Sequence, residues 1–553
     1  MKRFFLLLVF LSFLFSNAQH KTAYKISFSK IYNGNPIDTE NPIITFATTE
    51  QCLITTHNIQ TQKADFPFER TIVYPKSGEF VKMNNLSKDK TISTKDTASL
   101  AKQEFKITDE FKSILGYKCR KAETVINSNH IDIWYTTQLH INGGPSVLGQ
   151  TLGLVLEINR NNNYIITAEK IEKTKNFTPL QLDEKQFVDI LTYNDLVWKS
   201  RFKIIPVFEE ELVRFSDEAR SSDSILRFAN GTIILKKIRF PEFKKGDQIF
   251  VELKEQSNGD AYDRTGSVFI IPQDKPISFL NGLQEGAKTL PIYTNGNGKE
   301  YQGVVATPEY SPLIELMRFF TPFGIHQYNH IRLKNKEWYD AVSYREEVSE
   351  LRSFLSGKEF WVGCFIGNYD KGGHKISLNI SIHHEETEVF NYDTVIPLFN
   401  TTNVMEMAGQ EYGTMFNSEK GLLVSFRTHT KIENAVLRYT VTGHGGWENG
   451  DEFVPKANTI YLDGQKIQTL IPWRQDCGSY RLFNPASGNF ANGLSSSDYS
   501  RSNWCPGTVT YPFYIFLGNL SEGEHTLQVQ IPQGEPEGGS FSAWNVSGVL
   551  LGN

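Results

Sequence analysis

Residues 375–383 read KISLNISIH. Ile376, Leu378, Ile380 and Ile382 alternate with polar residues, the period-two pattern of a strand with one buried and one solvated face. The same alternation recurs in residues 435–443 (AVLRYTVTG) and 525–532 (HTLQVQIP). Gly, Asn, Asp and Pro bound these runs. Many short strands separated by long polar loops predict a mainly all-β protein built from β-sandwiches. Helical periodicity is scarce, and residues 344–355 (YREEVSELRSFL) form the best helical pattern in the chain. No internal repeat and no low-complexity tract stands out.

The chain has 553 residues, of which 39% are apolar and 22% charged, with a formal charge of −5. At ~150 residues per domain this length calls for three or four domains. The composition can bury a core, so wholesale disorder is excluded. Without an excess of basic residues, nothing calls for a nucleic-acid partner. Lys2 and Arg3 precede an apolar run over residues 4–15 that is broken only by Ser12. Ser16, Asn17 and Ala18 then offer small residues for cleavage, so residues 1–18 read as an export signal. The run falls short of the ~20 residues that span a bilayer. No later stretch qualifies as a membrane helix, so no membrane insertion is expected. The protein is expected to be periplasmic, on the cell surface or secreted.

Export permits disulfides. The five cysteines are Cys52, Cys119, Cys364, Cys477 and Cys505. An odd number leaves at least one thiol free or paired between chains. Cys477 and Cys505 flank a Gly/Ser/Asn-rich segment that a disulfide between them would staple, although spacing alone does not establish the pair. Composition shifts divide the rest into residues 19–205, 206–386 and 387–553. The first junction is a charged stretch through Glu209 and Glu218. The second is an acidic patch at Glu385 and Glu386.

Residues 116–126 (GYKCRKAETVI) and 131–158 (IDIWYTTQLHINGGPSVLGQTLGLVLEI) resemble the GLPGLI family of exported proteins. The eponymous hexapeptide falls on residues 150–155 (QTLGLV), with Leu152 where the family has Pro. A Gly-rich turn leading into an apolar strand carries no catalytic group. The resemblance implies a β-rich domain and no reaction.

Four further motifs occur in order. They are residues 259–264 (GDAYDR), 318–324 (RFFTPFG), 442–445 (TGHG) with 451–453 (DEF), and 498–507 (DYSRSNWCPG). As an ordered set they resemble peptide-N-glycosidase F-type amidases, which have two jelly-roll domains side by side. The resemblance implies a cofactor-free monomer that hydrolyses the amide joining a glycan to Asn, with an N-linked glycoprotein or glycopeptide as substrate. On the matched positions, Asp263 is the principal catalytic carboxylate and Glu452 the second. Arg264 and Arg501 arrange and polarise the site. Tyr262, His444 and Trp504 line the sugar subsite. Such chemistry suits these residue types, since a desolvated carboxylate can activate water while cationic donors stabilise an oxyanion.

The chain departs from the pattern in two respects that bear on the site, the first being that His444 stands where the family has Trp. A third carboxylate is expected after residues 353–363 (SFLSGKEFWVG), but Ile366 and Gly367 stand there and Asp370 is the nearest acid. A glycan-binding protein without turnover is therefore the rival expectation. Copper monooxygenases share the paired jelly-roll architecture and use His-rich sites. Here the adjacent His383 and His384 point to opposite strand faces, and His326 and His330 would share a face only on a helix. No Cys pair at zinc-ribbon spacing, no Gly-x-Ser-x-Gly elbow and no phosphate loop is present.

Overall fold

A computed structural model describes residues 21–328, 330–384, 392–408, 413–445, 450–485, 493–534 and 542–553. The export signal and the junction at Glu385 and Glu386 lie outside the described residues. The chain forms two compact units, one ending at Arg201 and the other comprising Phe202–Asn553.

The first unit is built on one antiparallel twelve-stranded sheet. Its long central strands, Lys21–Tyr32 and Tyr164–Phe177, pair along most of their length. One wing is a meander from Ile43–Ala47 out to Thr91–Asp96, and the other runs from Leu154–Arg160 out to Lys106–Ile114. The GLPGLI-like segment makes the turn into Leu154–Arg160, whose Leu154, Val155 and Leu156 are buried. Gly153 is required in that turn: its φ is +145° and a Cβ would lie 2.7 Å from the Thr136 carbonyl oxygen. The unit also carries the helix Ile190–Lys199, which the apolar periodicity did not flag. Asp189 starts it by accepting from the Leu191 and Thr192 amides at 2.9 and 3.0 Å.

The second unit holds two β-sandwiches. The alternating stretch that opened the sequence reading is the strand His374–His384, with Ile376, Leu378, Ile380 and Ile382 all buried. It pairs with Lys203–Val213 on one side and Asp247–Ser257 on the other, and Val342–Glu347 completes that sheet. The charged residues Glu209 and Glu211 thus belong to a strand. The facing sheet comprises Leu226–Phe228, Ile233–Arg239, Glu359–Ile366, Thr265–Ile271, Ile314–Phe320 and Val509–Thr510. In the second sandwich, Thr394–Asn400, Ala543–Gly552, Ile432–His444 and Phe513–Leu520 face Leu422–Thr428, Gly523–Gln530, Asn458–Leu462 and Gln465–Leu470.

The predicted helix at 344–355 is a correction. Tyr344 to Glu347 end the strand Val342–Glu347, and only Ser349–Leu351 and Arg352–Leu355 are helical. Tyr344 and Glu346 pack inward at period two, so sheet burial overrides the helical charge pattern.

The two sandwiches exchange segments. Val509–Thr510, from the later sequence, pairs with Ile314–Phe320 of the first sandwich. Tyr293, Tyr301 and Val304, from the earlier sequence, enter the core of the second. All seven residues of Ile314–Phe320 are buried, because this strand lies at the junction. A β-bulge sets Val268 opposite Met317 and Phe269 opposite Glu315, so Leu316 is the extra residue. Glu315 and Arg318 are an odd number of residues apart, and the bulge brings them to one face, where Arg318 Nη2 and Nε reach the carboxylate at 2.7 and 3.0 Å. The same guanidinium donates to Thr402 Oγ1, Thr442 Oγ1 and the Asn545 carbonyl of the second sandwich at 2.8, 3.2 and 2.6 Å. Arg438 answers from the other side, reaching Glu350 at 2.6 Å and Glu346 at 3.2 Å.

Arg318→Met strands the buried Glu315 carboxylate without its cation. The expected loss is about 3–5 kcal/mol, measured as a fall in the urea midpoint of the second unit. An unchanged midpoint would show that the junction does not depend on this pair.

Candidate active site

The loop between strands Asp247–Ser257 and Thr265–Ile271 carries the first motif. Gly259 opens it with φ +151°, and a Cβ there would lie 3.1 Å from Gly372 Cα. Asp260 is buried and accepts from Arg264 Nε and Nη2 at 2.7 and 3.1 Å and from the Tyr262 amide at 3.1 Å. His374 bridges Asp260 and Glu255 at 3.3 and 2.8 Å. Burial alone would raise the Asp260 carboxyl, but hydrogen bonds from His374 and Arg264 hold it well below the usual range. Burial alone would lower His374, yet its two acidic partners push it up to about 9. This buried charged cluster pins the loop from behind. In front, the Arg264 amide donates to Thr321 Oγ1 at 2.8 Å. Asp263 is thereby fixed at the mouth of the strand, at the junction of the sandwiches.

The second sandwich supplies the opposing groups. The Glu452 amide donates to the Gly445 carbonyl at 3.2 Å, and its own carbonyl accepts from the Ser502 amide at 2.8 Å. Arg501 exchanges backbone hydrogen bonds with Arg474 at 2.9 and 3.0 Å. Cys477 and Cys505 are joined by a disulfide, which closes the segment containing Arg501 and Trp504. The other three cysteines are buried thiols.

Arg501 unites the site. Its side chain is fully buried, and its Nη1 donates to Glu452 Oε1 at 2.9 Å and to Asp263 Oδ2 at 3.3 Å. Nη2 donates to the Ser496 carbonyl and, at 3.0 Å, to Ser496 Oγ. Two acids 189 positions apart in sequence thus share one nitrogen. The side chains of Asp263 and Glu452 keep only 15% and 16% of their surface exposed, enough for contact with a ligand. Burial raises the Asp263 carboxyl, with Arg501 and Arg264 opposing. Burial pushes Glu452 up to about 7, against Arg501 and with the help of the Asp263 charge. Two like charges around one cation resist joint ionisation, so the pair is poised to hold a proton near neutrality. Such an arrangement can serve as an acid–base pair beside a fixed cation.

A cleft of about 220 Å³ opens beside Asp263, lined also by Arg264, Thr265, Phe365, Gly367, Asn403, Glu406, His444, Ala543 and Asn545. Thr442 Oγ1 accepts from Arg318 and lies 2.8 Å from His444 Nε2. Burial, with Arg318 and Arg501 nearby, pushes His444 down to about 3, so it is neutral.

The remaining residues fall into place unequally. Arg264 lines the cleft, but two of its nitrogens are committed to Asp260. Tyr262 is 55% exposed, and the Arg264 guanidinium lies 5.2 Å from its ring centre. Trp504 does not offer a sugar-stacking face. It is buried, with Phe320 stacked 4.3 Å away and the Arg501 guanidinium 4.2 Å over the ring, while Nε1 donates to the Gly443 carbonyl at 3.0 Å. Its position suits holding Arg501. Asp370 caps a turn, accepting from the Gly372 and Gly373 amides at 2.7 and 3.0 Å, and is not part of the cleft wall. Sequence reading missed Glu406, an isolated acid in a polar loop with no motif around it. It also missed Ser496 and the Asp260–His374–Glu255 cluster, whose only trace was the spacing of Asp260 and Arg264.

Among the described residues, no group of three or more His, Cys, Asp or Glu side chains is placed to hold a metal ion. His383 packs on Phe202 at 4.8 Å, His384 pairs with Asp247 at 2.7 Å, and His326, on the short helix Ile325–Tyr328, lies 3.4 Å from Asp340.

One consequence of the geometry concerns pH. Glu452 titrates near 4.5 when free and near 7 when folded, so its protonated form favours folding. That contribution is full below about 4.5 and fades as pH rises through about 7. Glu452→Gln, which mimics the protonated form, is expected to melt above the parent at pH 8, by up to about 3 kcal/mol. The gap should close toward pH 4.5 in paired melts; a constant gap would refute the shift.

Residues 204–382 match the family described as Peptide-N-glycosidase F, N terminal, and residues 411–551 match Peptide-N-glycosidase F, C terminal. Residues 26–195, which include the GLPGLI-like segment, match N-glycanase peptide, N-terminal domain. A search of curated proteins finds no significant match. Among solved structures, PNGF-II in the P21 space group is 55% identical, with 96% of this chain and 99% of that one covered at a TM-score of 0.85. The C2 form of PNGF-II gives 55%, 96%, 98% and 0.84. Recombinant peptide: N-glycanase F (PNGase F) is 16% identical over 64% of this chain and 96% of that one, at a TM-score of 0.43. The chain belongs to the peptide-N-glycosidase F family.

Proposed function

We propose that the protein is a peptide-N4-(N-acetyl-β-glucosaminyl)asparagine amidase that hydrolyses the amide joining a glycan to the Asn side chain of N-glycoproteins or glycopeptides. The observation that carries this reading is the convergence of Asp263 and Glu452, from different sandwiches, on one buried nitrogen of Arg501. Family membership supplies the reaction class.

Asp263, which lines the cleft, is the acid that takes a proton from water. The water oxygen bonds to the side-chain carbonyl carbon of the linked Asn, and the carbonyl electrons move onto oxygen. Cationic donors in a desolvated cleft stabilise that charge. Glu452, with a pKa near 7, gives its proton to the amide nitrogen as the carbon–nitrogen bond breaks. The products are a glycosylamine and an Asp side chain, so one water is consumed and no electron changes hands. Tyr262 and His444 line the sugar end, and Arg501 orients both acids.

The protein acts outside the cytoplasm, in keeping with the basic–apolar start of the sequence and the Cys477–Cys505 disulfide. Among the described residues no helix is long and apolar enough to cross a membrane. The test is incubation with a denatured N-glycoprotein. Glycan release with conversion of Asn to Asp is expected, and Asp263→Asn should slow it by about 10²–10⁴-fold. Binding without release would favour a non-catalytic glycan-binding protein. Equal rates for parent and variant would remove Asp263 from the chemistry.

A further inference from the structure

We propose that Glu406 is the third acid of the site: a substrate-binding carboxylate, supplied by the second sandwich, that accepts hydrogen bonds from the hydroxyl or acetamido N–H groups of the sugar on the scissile amide. The inference rests on the reading of the cleft given above and deepens it.

The resemblance places a third carboxylate after the strand Glu359–Ile366, on the first sandwich. This chain has Gly367 there, so that part of the wall carries no side chain. Glu406 lines the same cleft as Gly367, Asp263, Arg264 and His444, but arrives from the opposite sandwich. It begins the turn Glu406–Ala408, which packs against the turn Ala229–Gly231 of the first sandwich, so its backbone is anchored across the junction. Tyr369 stands against its carboxyl and opposes the rise that burial produces there, and the Arg264 guanidinium lies 5.7 Å from the Tyr369 ring centre. Tyr369 and Tyr262 are 53% and 55% exposed, and Arg264 contacts both rings. An acid thus stands beside one open aromatic ring, Tyr369, and Arg264 links that ring to a second, Tyr262, a combination suited to a sugar, whose rim is rich in hydrogen-bond donors and whose face is apolar.

The other charged groups here are already occupied. Asp263 and Glu452 share Arg501, and Arg264 is clamped by Asp260. None of these is as well placed to read sugar donors as Glu406. Burial raises its carboxyl, and Tyr369 and Arg264 oppose that rise, as a desolvated wall with ionic support would produce. Moving the acid from one sandwich to the other preserves the charge of the cleft. It changes the direction of approach, and with it which sugar substituents fit.

The experiment uses the full-length protein and a glycopeptide carrying N,N′-diacetylchitobiose on Asn. Glycan release is measured for the parent, Glu406→Gln and Glu406→Asp, with melting temperatures alongside. Glu406→Gln should lower kcat/KM by about tenfold to a hundredfold, the worth of one charged hydrogen bond. The loss should fall on KM more than on kcat, with no change in melting temperature. Glu406→Asp should recover part of it. Unchanged KM in an active protein, or a loss that only tracks a fall in melting temperature, would overturn the proposal. If the parent releases no glycan, the amidase reading fails by itself. Weaker binding of the same glycopeptide by Glu406→Gln than by the parent would still support the role of Glu406, and equal binding or none would refute it. A crystal of the parent soaked in the chitobiose gives an independent reading: a sugar donor on the Glu406 carboxylate supports the assignment, and an empty wall overturns it.

Discussion

A guanidinium with no solvent exposure is the constraint on which the site depends. Burying the Arg501 cation is costly unless charge and hydrogen bonds replace its water. Ser496 takes one end, Asp263 and Glu452 share the other, and Trp504 and Phe453 lie 4.2 and 5.2 Å from the guanidinium. Because the two acids come from different sandwiches, this one cation requires the sandwiches to meet in a fixed register. The junction provides that register through Arg318 and Arg438, each buried and each reaching across. The bulge at Leu316 is what allows Glu315 to partner Arg318. A local irregularity in one strand is therefore coupled, through Thr442 and His444, to the wall of the cleft.

The protonation pattern follows from placement. Asp260 and Asp263 are three positions apart in one loop, yet they experience opposite environments. Asp260 has Arg264 and a protonated His374 against it and stays ionised. Asp263 accepts from the shared guanidinium at 3.3 Å, while burial disfavours its charge. Their carboxyls are pushed in opposite directions, and the difference lies in what packs around each.

Several features were legible in the residues alone. Alternation at 375–383 marked a strand whose four Ile and Leu residues are all buried. Asp263, Glu452 and Arg501 could be singled out because they lie in motifs with a recognisable order. Trp504 lies in the same motif, but its type could not reveal whether its ring would be open, and it is buried against Phe320 and Arg501. The helical charge pattern at 344–355 misled because inward packing of Tyr344 and Glu346 depends on the sheet they join. Glu406 left no signal, since its relevance comes from a turn docking against a segment about 175 positions earlier in the chain.

The sequence by itself determined the β class and the strand faces, because these follow from periodicity along the chain, and its ordered motifs named the candidate acids and cations. Only the tertiary structure decided which acids face one another, which cation they share, and that Glu406 lines the cleft beside Asp263. Those are properties of a junction between two sandwiches. The distances and desolvation that make a carboxyl reactive exist only once both have folded and met.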